Sequence, residues 1–582
     1  MCGVLGVAHW EHRGDTTRLR AAVDLIARRG PDDYGCVDET WFSAAHTRLS
    51  IQDTSWRGHQ PFQHPDGRFV VVYNGEIYNF KSLNEDLKAQ GISLQSGSDT
   101  ETLIHCFARD GMEAFSQFQG MFAGAIFDRE EQAIYLFRDR LGVKPLYFHA
   151  SGADIAFAST PAAVSELRGG LPIARDEYAS YLAFRTPRAE ATMFQGVQSL
   201  KPGTVLKVSK DGTRETTFWS LGDYMGRVDP DMTHGAAVEA IQEYLSASVK
   251  KRLIADVTVG TFLSGGLDST IVLHHMADAM ASTVQTHSFA SIDAGTDEVE
   301  RAERTANLYG AAFTVTKLDH VGYLEDLDRL IRLKGAPLTV QNEYAIYKMS
   351  EQMKQTNTVV LSGEGADEIF WGYSNIFSAA AGEPETTHKT DIARWIFETY
   401  RYVSPNSLAA FGFSGTEVSR YKDQGIAYIE GLLNEFEGGD TAENLQYFFL
   451  RHHLPALLQR LDNATMAASI EGRVPFTDHS LVEFALTIPR THKLAKQGSP
   501  FAGKRVLYEA YHASLPEWVI HTPKIGFKLG DTFRANADIA SRLRAHRSGS
   551  EKWFESDDVS PTERWHLTMA SLFAASHADA LV

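Results

Sequence analysis

The chain has 582 residues, 43% of them hydrophobic and 22% charged, with a formal net charge of -18. That length exceeds a single hydrophobic core and implies several domains. The acidic balance excludes nucleic acid as a main partner, because neutralising phosphates needs a basic face. Three cysteines, Cys2, Cys36 and Cys106, form no disulfide framework and fit a reducing compartment. No stretch approaches the ~18 apolar residues of a membrane span, and no basic segment precedes the short apolar run at the start. A cytoplasmic protein without a membrane partner is expected.

In chain order, residues 1–214 read as one strand-rich domain. VLGVAHW, FVVVYNGEIYNF, FAGAIFD, AIYLFRD and LYFHA are short apolar or alternating runs bounded by Gly, Asn and Asp. Helical patterns lie between them, TRLRAAVDLIARRG and TETLIHCFARDG, the second ending on Gly111 as a C-cap. Strands with helices beside them predict an α+β layered domain. Residues 215–232 are polar and rich in turn formers and read as a linker. A second domain, 233–582, opens with a long helix and then alternates strand and helix through VTVGTFLSG, DSTIVLHHMADAMA, VQTHSFA, DEVERAERTANLYG and AAFTVTKL. Such alternation predicts an α/β doubly wound parallel sheet, followed here by a mainly helical C-terminal part.

The first chemical signal is Cys2, directly behind Met1. Removal of Met1 leaves a thiol of pKa about 8.5 beside an α-amine of about 7.7–8.0. A nucleophile paired with a terminal amine is a known catalytic arrangement. Further along stand RRGPDDYG, HTRLSIQD, YNGEIYNF and SGSDTET. Arg48, read as lying just before a short strand, can clamp an α-carboxylate, and Glu76 and Asp99 can hold an α-ammonium. Asn74 and the Gly75 N–H, read as a hairpin turn, can form an oxyanion hole. Asp99 or Thr100 falls near a helix cap.

The second signal is FLSGGLDST, residues 262–270, which follows a strand and opens a helix. It lacks the Lys-Ser/Thr ending of a P-loop, yet a glycine-rich turn at a helix start still offers backbone N–H groups to an anion. Ser264, Gly265, Gly266 and Ser269 are small enough for phosphate to approach, and Asp268 can hold Mg2+. VVLSGEGADEIFWGY, residues 359–373, repeats the logic with Ser362 and Gly363, then Glu364, Asp367 and Glu368.

Residues 1–150 resemble the class II glutamine amidotransferase domain, an N-terminal-nucleophile hydrolase with an αββα sandwich, through MCG, RGPDDYG, RLSIQD, YNGEIYN, SDTE and RDRLGVKPLY. The resemblance implies that Cys2 attacks the glutamine amide and releases ammonia, with Arg48, Leu49, Ile51, Asn74, Gly75, Glu76 and Asp99 holding the substrate. The later motifs, with LQRLDNATMAASIEGRVPFTDHSLVEFAL and GKRVLYEAYHASLPEWVIHTPKIGF, resemble the ATP-pyrophosphatase domain of the asparagine synthetase family. That implies ATP cleavage between the α and β phosphates, an acyl-adenylate, and attack by ammonia carried through a dry tunnel.

By the same resemblance Asp268 and Asp367 would hold Mg2+, and Leu263 and Ser291 would lie against the adenosine with Ser362 and Gly363 nearby. Glu364 would act near the adenylate, and Lys504 and Lys524 would neutralise phosphate charge. A homodimer is the family expectation. Several positions depart from the family pattern: Thr160, Ala336, Trp371, Asn463, Gly472 and Thr477. Ala336 and Trp371 are expected near the acceptor, so the acceptor stays open: aspartate, or another carboxylic acid of specialised biosynthesis, amidated or cyclised.

Overall fold

The computed structural model describes residues 2–11, 17–152, 154–291, 297–318, 321–383, 388–410, 413–494, 503–521 and 559–577. Among them the strands of the first domain are β1 (Gly3–His9), β2 (Asp33–Asp38), β3 (Phe42–Arg48), β4 (Phe62–Gln63), β5 (Phe69–Ile77), β6 (Gly120–Asp128), β7 (Ala133–Arg138), β8 (Tyr147–Ser151), β9 (Asp154–Ala158), β10 (Gln198–Ser199), β11 (Thr204–Ser209) and β12 (Gly212–Thr217). They form two antiparallel six-stranded sheets, ordered β10-β8-β9-β1-β3-β2 and β12-β11-β7-β6-β5-β4.

Period-two alternation sorts the side chains into layers. Val4 and Ala8 of β1 meet Val70 and Val72 of β5 between the sheets. Phe69, Val71 and Tyr73 turn to the opposite face and pack beneath the helices Phe80–Ala89 and Asp99–Asp110. Leu5 and Val7 face the other way, with Ala22 and Ile26 of the helix Thr17–Ile26 and Ala163 and Val164 of the helix Pro161–Leu167. The layering is helix, sheet, sheet, helix, as the resemblance implied.

Three local readings are corrected. Arg48 ends β3 rather than preceding a strand. Asn74 and Gly75 sit in the middle of a continuous β5, opposite Ala123 and Phe122, and form no turn. Glycine is required there for another reason: a Cβ on Gly75 would lie 2.3 Å from the Met121 carbonyl oxygen. The polar segment taken as a linker from residue 215 begins inside β12, where Thr217 still pairs with Thr204. It then packs rather than dangles, with Trp219 buried and its Nε1 donating to Glu483 Oε1 at 2.7 Å.

The second domain begins with the helix His234–Arg252, capped by Thr233. Its sheet contains β13 (Val259–Phe262), β14 (Gln285–Ser291), β15 (Ala312–Leu318), β16 (Val359–Leu361) and β17 (Glu471–Arg473). All pairs are parallel, in the order β15-β14-β13-β16-β17. The chain winds outward from β13 to one edge, then returns to lay β16 on the other side of β13. This reversal is a topological switch point, and open α/β sheets bind ligands beyond the carboxyl ends of the strands there. No helix among the described residues is long and apolar enough to cross a membrane.

Candidate active sites

The first site is assembled at the start of β1. The Cys2 main-chain N donates to Asn74 Oδ1 at 2.9 Å. This bond commits the oxygen end of the amide and leaves Asn74 Nδ2 buried without a partner. An orphaned buried donor is costly, and one aimed beside a thiol is what an oxyanion hole requires. Burial pushes the Cys2 thiol up, against the opposing pulls of the Leu49 main chain and the Arg48 charge. Arg29, which sequence reasoning passed over inside RRGPDDYG, donates from Nε to the Cys2 carbonyl at 3.2 Å and from Nη2 to Asp462 Oδ2 at 2.8 Å.

Of the residues expected to grip glutamine, Arg48 lies near Cys2 and Asp99 near Glu76, but each already has other partners. Arg48 Nη1 donates to the Ser55 carbonyl at 2.8 Å, and Nη2 reaches the carbonyls of Gln52 and Asp53, so the guanidinium first organises the 52–55 loop. Leu49 and Ile51, both buried, begin that loop. Asp99 Oδ2 accepts from the Tyr73 hydroxyl and the Ile77 N–H, each at 2.8 Å, and burial raises its pKa to about 6. Ser98 is the helix cap, placing Asp99 in the first turn.

Glu76 accepts from Gln52 Nε2 and lies 3.2 Å from Arg473 Nη2. Arg473 is fully buried at the end of β17 and also pairs with Glu471. One guanidinium thus serves two buried carboxylates. Burial pushes Glu76 well above the usual carboxylate range, while Arg473 overcomes burial to hold Glu471 below it. Gln52, Glu471, Arg473 and Asp462 lie inside motifs read in the sequence but received no role there, because three of them act from the other domain.

The second site lies at the switch point. Past β13 the chain turns through Ser264, Gly265 and Gly266 into the helix Leu267–Ala279; past β16 it turns through Ser362, Gly363 and Glu364. Gly265 has φ +68, and its Cβ would lie 2.8 Å from the Ala302 N, so glycine alone fits. Ser269 Oγ donates back to the Gly266 carbonyl at 3.3 Å and fixes the turn.

Lys504 joins Asp268 and Asp367, with Nζ 2.6 Å from Asp268 Oδ2 and 2.8 Å from Asp367 Oδ1. Burial opposes its charge, but the two carboxylates outweigh burial and raise its pKa. Gly372 is needed beneath this cluster, since its Cβ would overlap Asp367 Oδ1 at 1.9 Å. Glu364 accepts from Arg460, whose Nη1 also donates to Asn342 Oδ1 at 3.0 Å.

These groups line a cavity of about 700 Å³, within the usual range of ligand pockets. Leu263 and Ser291 are buried behind the loop and do not line it. Trp371 and Ala336 do not line it either: Trp371 stacks on Phe377, ring centroids 4.9 Å apart, and Ala336 is buried beside a separate, smaller pocket. The cavity wall instead carries Arg185, Tyr373 and His453, none of which the sequence marked. Lys524 falls outside the described residues.

The two sites share one seam. Arg29–Asp462, Glu76–Arg473 and a Lys144 Nζ contact to the Gly472 carbonyl at 3.3 Å all cross it. An N-terminal-nucleophile sandwich with a buried thiol, joined to a parallel sheet bearing a phosphate-sized loop and paired carboxylates, defines a glutamine-dependent amide synthetase. The glutamine amidotransferase domain model matches residues 1–219, and the asparagine synthase model matches residues 240–581. The chain therefore belongs to the asparagine synthase family, whose members use ATP as a substrate.

Among its relatives, the glutamine-hydrolysing asparagine synthetase 1 of Bacillus subtilis is 27% identical, over 90% of this chain and 87% of that protein. The amidase chyE of Penicillium rubens is 28% identical, over 86% and 83%. The amidase chry2 of Gibberella zeae is 27% identical, over 90% and 88%.

Proposed function

We propose that Cys2 hydrolyses glutamine and that the ammonia is used at the second site to amidate a carboxylic acid activated as its adenylate, releasing AMP and pyrophosphate. The observation that carries this reading is the meeting of Asp268, Asp367 and Lys504 beyond the switch point, in a domain bound to the Cys2 pocket through Arg29–Asp462.

At the first site the thiol attacks the glutamine side-chain carbonyl, and Asn74 Nδ2 with the Gly75 N–H receives the oxyanion. Met1 lies outside the described residues; once it is removed, the Cys2 amine held by Asn74 Oδ1 becomes the proton acceptor for the thiol. The α-ammonium of glutamine supplies a positive charge to Glu76 and Asp99, whose pKa values are raised without it. Arg48, with its fork partly spent on the loop, offers its remaining N–H groups to the α-carboxylate.

At the second site the Ser264–Gly266 loop receives phosphate oxygens. Asp268 and Asp367 form a hard oxygen pair whose charge Lys504 balances in this structure, a donor set that fits Mg2+. Mg2+ held there would neutralise charge on the departing pyrophosphate. Lys504 stays beside the same oxygens as a fixed cation, and Glu364, held by Arg460, is assigned the proton that ammonia loses on attack. Lys524 is assigned a second phosphate contact from the sequence alone.

The first reading of the acceptor is aspartate, giving β-aspartyl-AMP and then asparagine. The second is a larger carboxylic acid, and the cavity favours it, because its wall continues past Glu364 to Arg185 and His453. An acceptor screen with glutamine, ATP and Mg2+, read by mass spectrometry, tests both readings: one acid gains an amide. Glutaminase activity without ATP cleavage in the presence of any acid would overturn the synthetase reading.

A further inference from the structure

Resting on the synthetase reading above, we propose that the arm of the second cavity running from Glu364 to Arg185 binds the acceptor as an extended dicarboxylic acid. One carboxyl is activated beside Glu364, and the distal carboxylate is held by Arg185 about 10 Å away.

The length comes from one helix face. His453, Leu457 and Arg460 all line the cavity, at spacings of four and three. Two turns of helix separate His453 from Arg460, and at 1.5 Å per residue that is about 10 Å along the axis. Arg460 marks the near end, because it grips Glu364. Arg185 marks the far end, with Nη2 3.3 Å from His453 Nδ1. The carboxyl carbons of aspartate are three C–C bonds apart and cannot exceed about 4 Å, so aspartate activated at Glu364 leaves Arg185 unmet. Leu457 between the two ends presents an apolar wall to a hydrocarbon body.

Arg185 is shaped for an anion it does not yet have. It caps the helix Arg175–Phe184 in the left-handed region, φ +67, a conformation costly for a side chain with a Cβ and concentrated at ligand sites. Its guanidinium stacks on Tyr402 at 4.0 Å from the ring centroid, and its in-plane donors meet only neutral partners, His453 and the Tyr400 hydroxyl. Its Nε is buried without a partner, and among the described residues it has no carboxylate partner. Glu368 is already engaged with the Tyr373 hydroxyl at 2.6 Å and His453 at 3.5 Å.

A second orphan sits at the same end of the cavity. His566, 2% exposed on the helix Pro561–Ser576, has Nδ1 without a hydrogen-bond partner. The five-residue π-helix Phe449–His453 delivers His453 to the arm, and such single-turn insertions recur at functional sites.

The test is isothermal titration of the full chain loaded with Mg2+ and an ATP analogue bearing a methylene between the α and β phosphorus atoms. The probes are aspartate, succinate, adipate and suberate, with octanoate as the monocarboxylate match to suberate. Suberate is expected to bind at least tenfold tighter than octanoate, succinate or aspartate. R185M is expected to bring suberate down to octanoate, and R185K to recover most of the difference. Analogue affinity unchanged in R185M reports an intact fold. Equal binding of suberate and octanoate by the wild-type chain would overturn the proposal whatever the variants do. So would an R185M that weakens both acids alike, or a preference for aspartate. Failure of the wild-type chain to bind the analogue contradicts the nucleotide reading instead, which keeps the two failures distinct.

Discussion

The two sites of the molecule are built on opposite plans. Around Cys2 the charged groups expected to meet glutamine are already answered: Asp99 by Tyr73 and Ile77, Glu76 by Gln52 and Arg473, Arg48 by its own loop. Asn74 Nδ2, one of the buried atoms there without a partner, is where a transition-state charge would form. Around Lys504 the site is an open cavity of about 700 Å³ with orphaned groups at its far end. A pocket for one small, invariant substrate can be finished in advance, since preorganised dipoles then cost nothing to reorganise during reaction. On the proposed reading, a pocket for a nucleotide plus an acceptor acid leaves its recognition groups waiting.

That contrast breaks most sharply at the nucleophile. Cys2→Ala is expected to abolish glutamine-driven pyrophosphate release while ammonium chloride still drives it. Loss of both activities would join sites that the structure keeps chemically separate. From the other side, Asp268→Asn or Asp367→Asn should lower pyrophosphate release by about 10²–10³-fold through lost electrostatic stabilisation, with glutamine hydrolysis persisting. Unaltered pyrophosphate release in both variants would remove the carboxylates from the phosphate site.

Asn74→Ala sharpens the preorganised side: kcat for glutamine hydrolysis should fall about 10²–10³-fold with little change in KM. A change confined to KM would make Asn74 a ground-state contact. The seam is tested by Arg473→Met, which leaves Glu471 and Glu76 buried without their counter-charge and should cost about 3–5 kcal/mol on denaturant unfolding. A neutral effect would mean that the carboxylates simply take up protons.

The smallest effect is a pH dependence. Asp99 ionises near 6 in the fold against about 3.9 in an open chain. Its ionisation therefore costs stability progressively as pH rises from about 4 to 6. Substrate capture runs the other way, because a protonated Asp99 cannot pair with an α-ammonium. kcat/KM for glutamine should fall as pH drops through about 6, and a flat profile from 5 to 8 would detach Asp99 from the substrate.

Both folds were legible because their periods are strong. Alternation in FVVVYNGEIYNF and the strand–helix rhythm after Thr258 are set by local geometry. The Asn74–Gly75 pair was misread as a turn because glycine serves close cross-strand approach as well as positive φ, and only the Met121 carbonyl of β6, 2.3 Å from where a Cβ on Gly75 would stand, distinguishes the two. Cys2, Asp268, Asp367 and Glu364 announce themselves by motif. Arg29, Arg473 and Asp462 do not, since each acts by meeting a residue of the other domain. Arg185 was silent for the same reason: its value lies in Tyr402, His453 and His566, which are remote in the chain.

The most direct measurement follows the nitrogen. The wild-type chain is given ATP, Mg2+, a panel of carboxylic acids, glutamine labelled with 15N in its side-chain amide, and excess unlabelled ammonium chloride. Two sites joined by the Arg29–Asp462 seam predict an amide product that carries 15N well above its share of the bulk ammonia. A product labelled only in proportion to bulk ammonia would contradict transfer within one molecule.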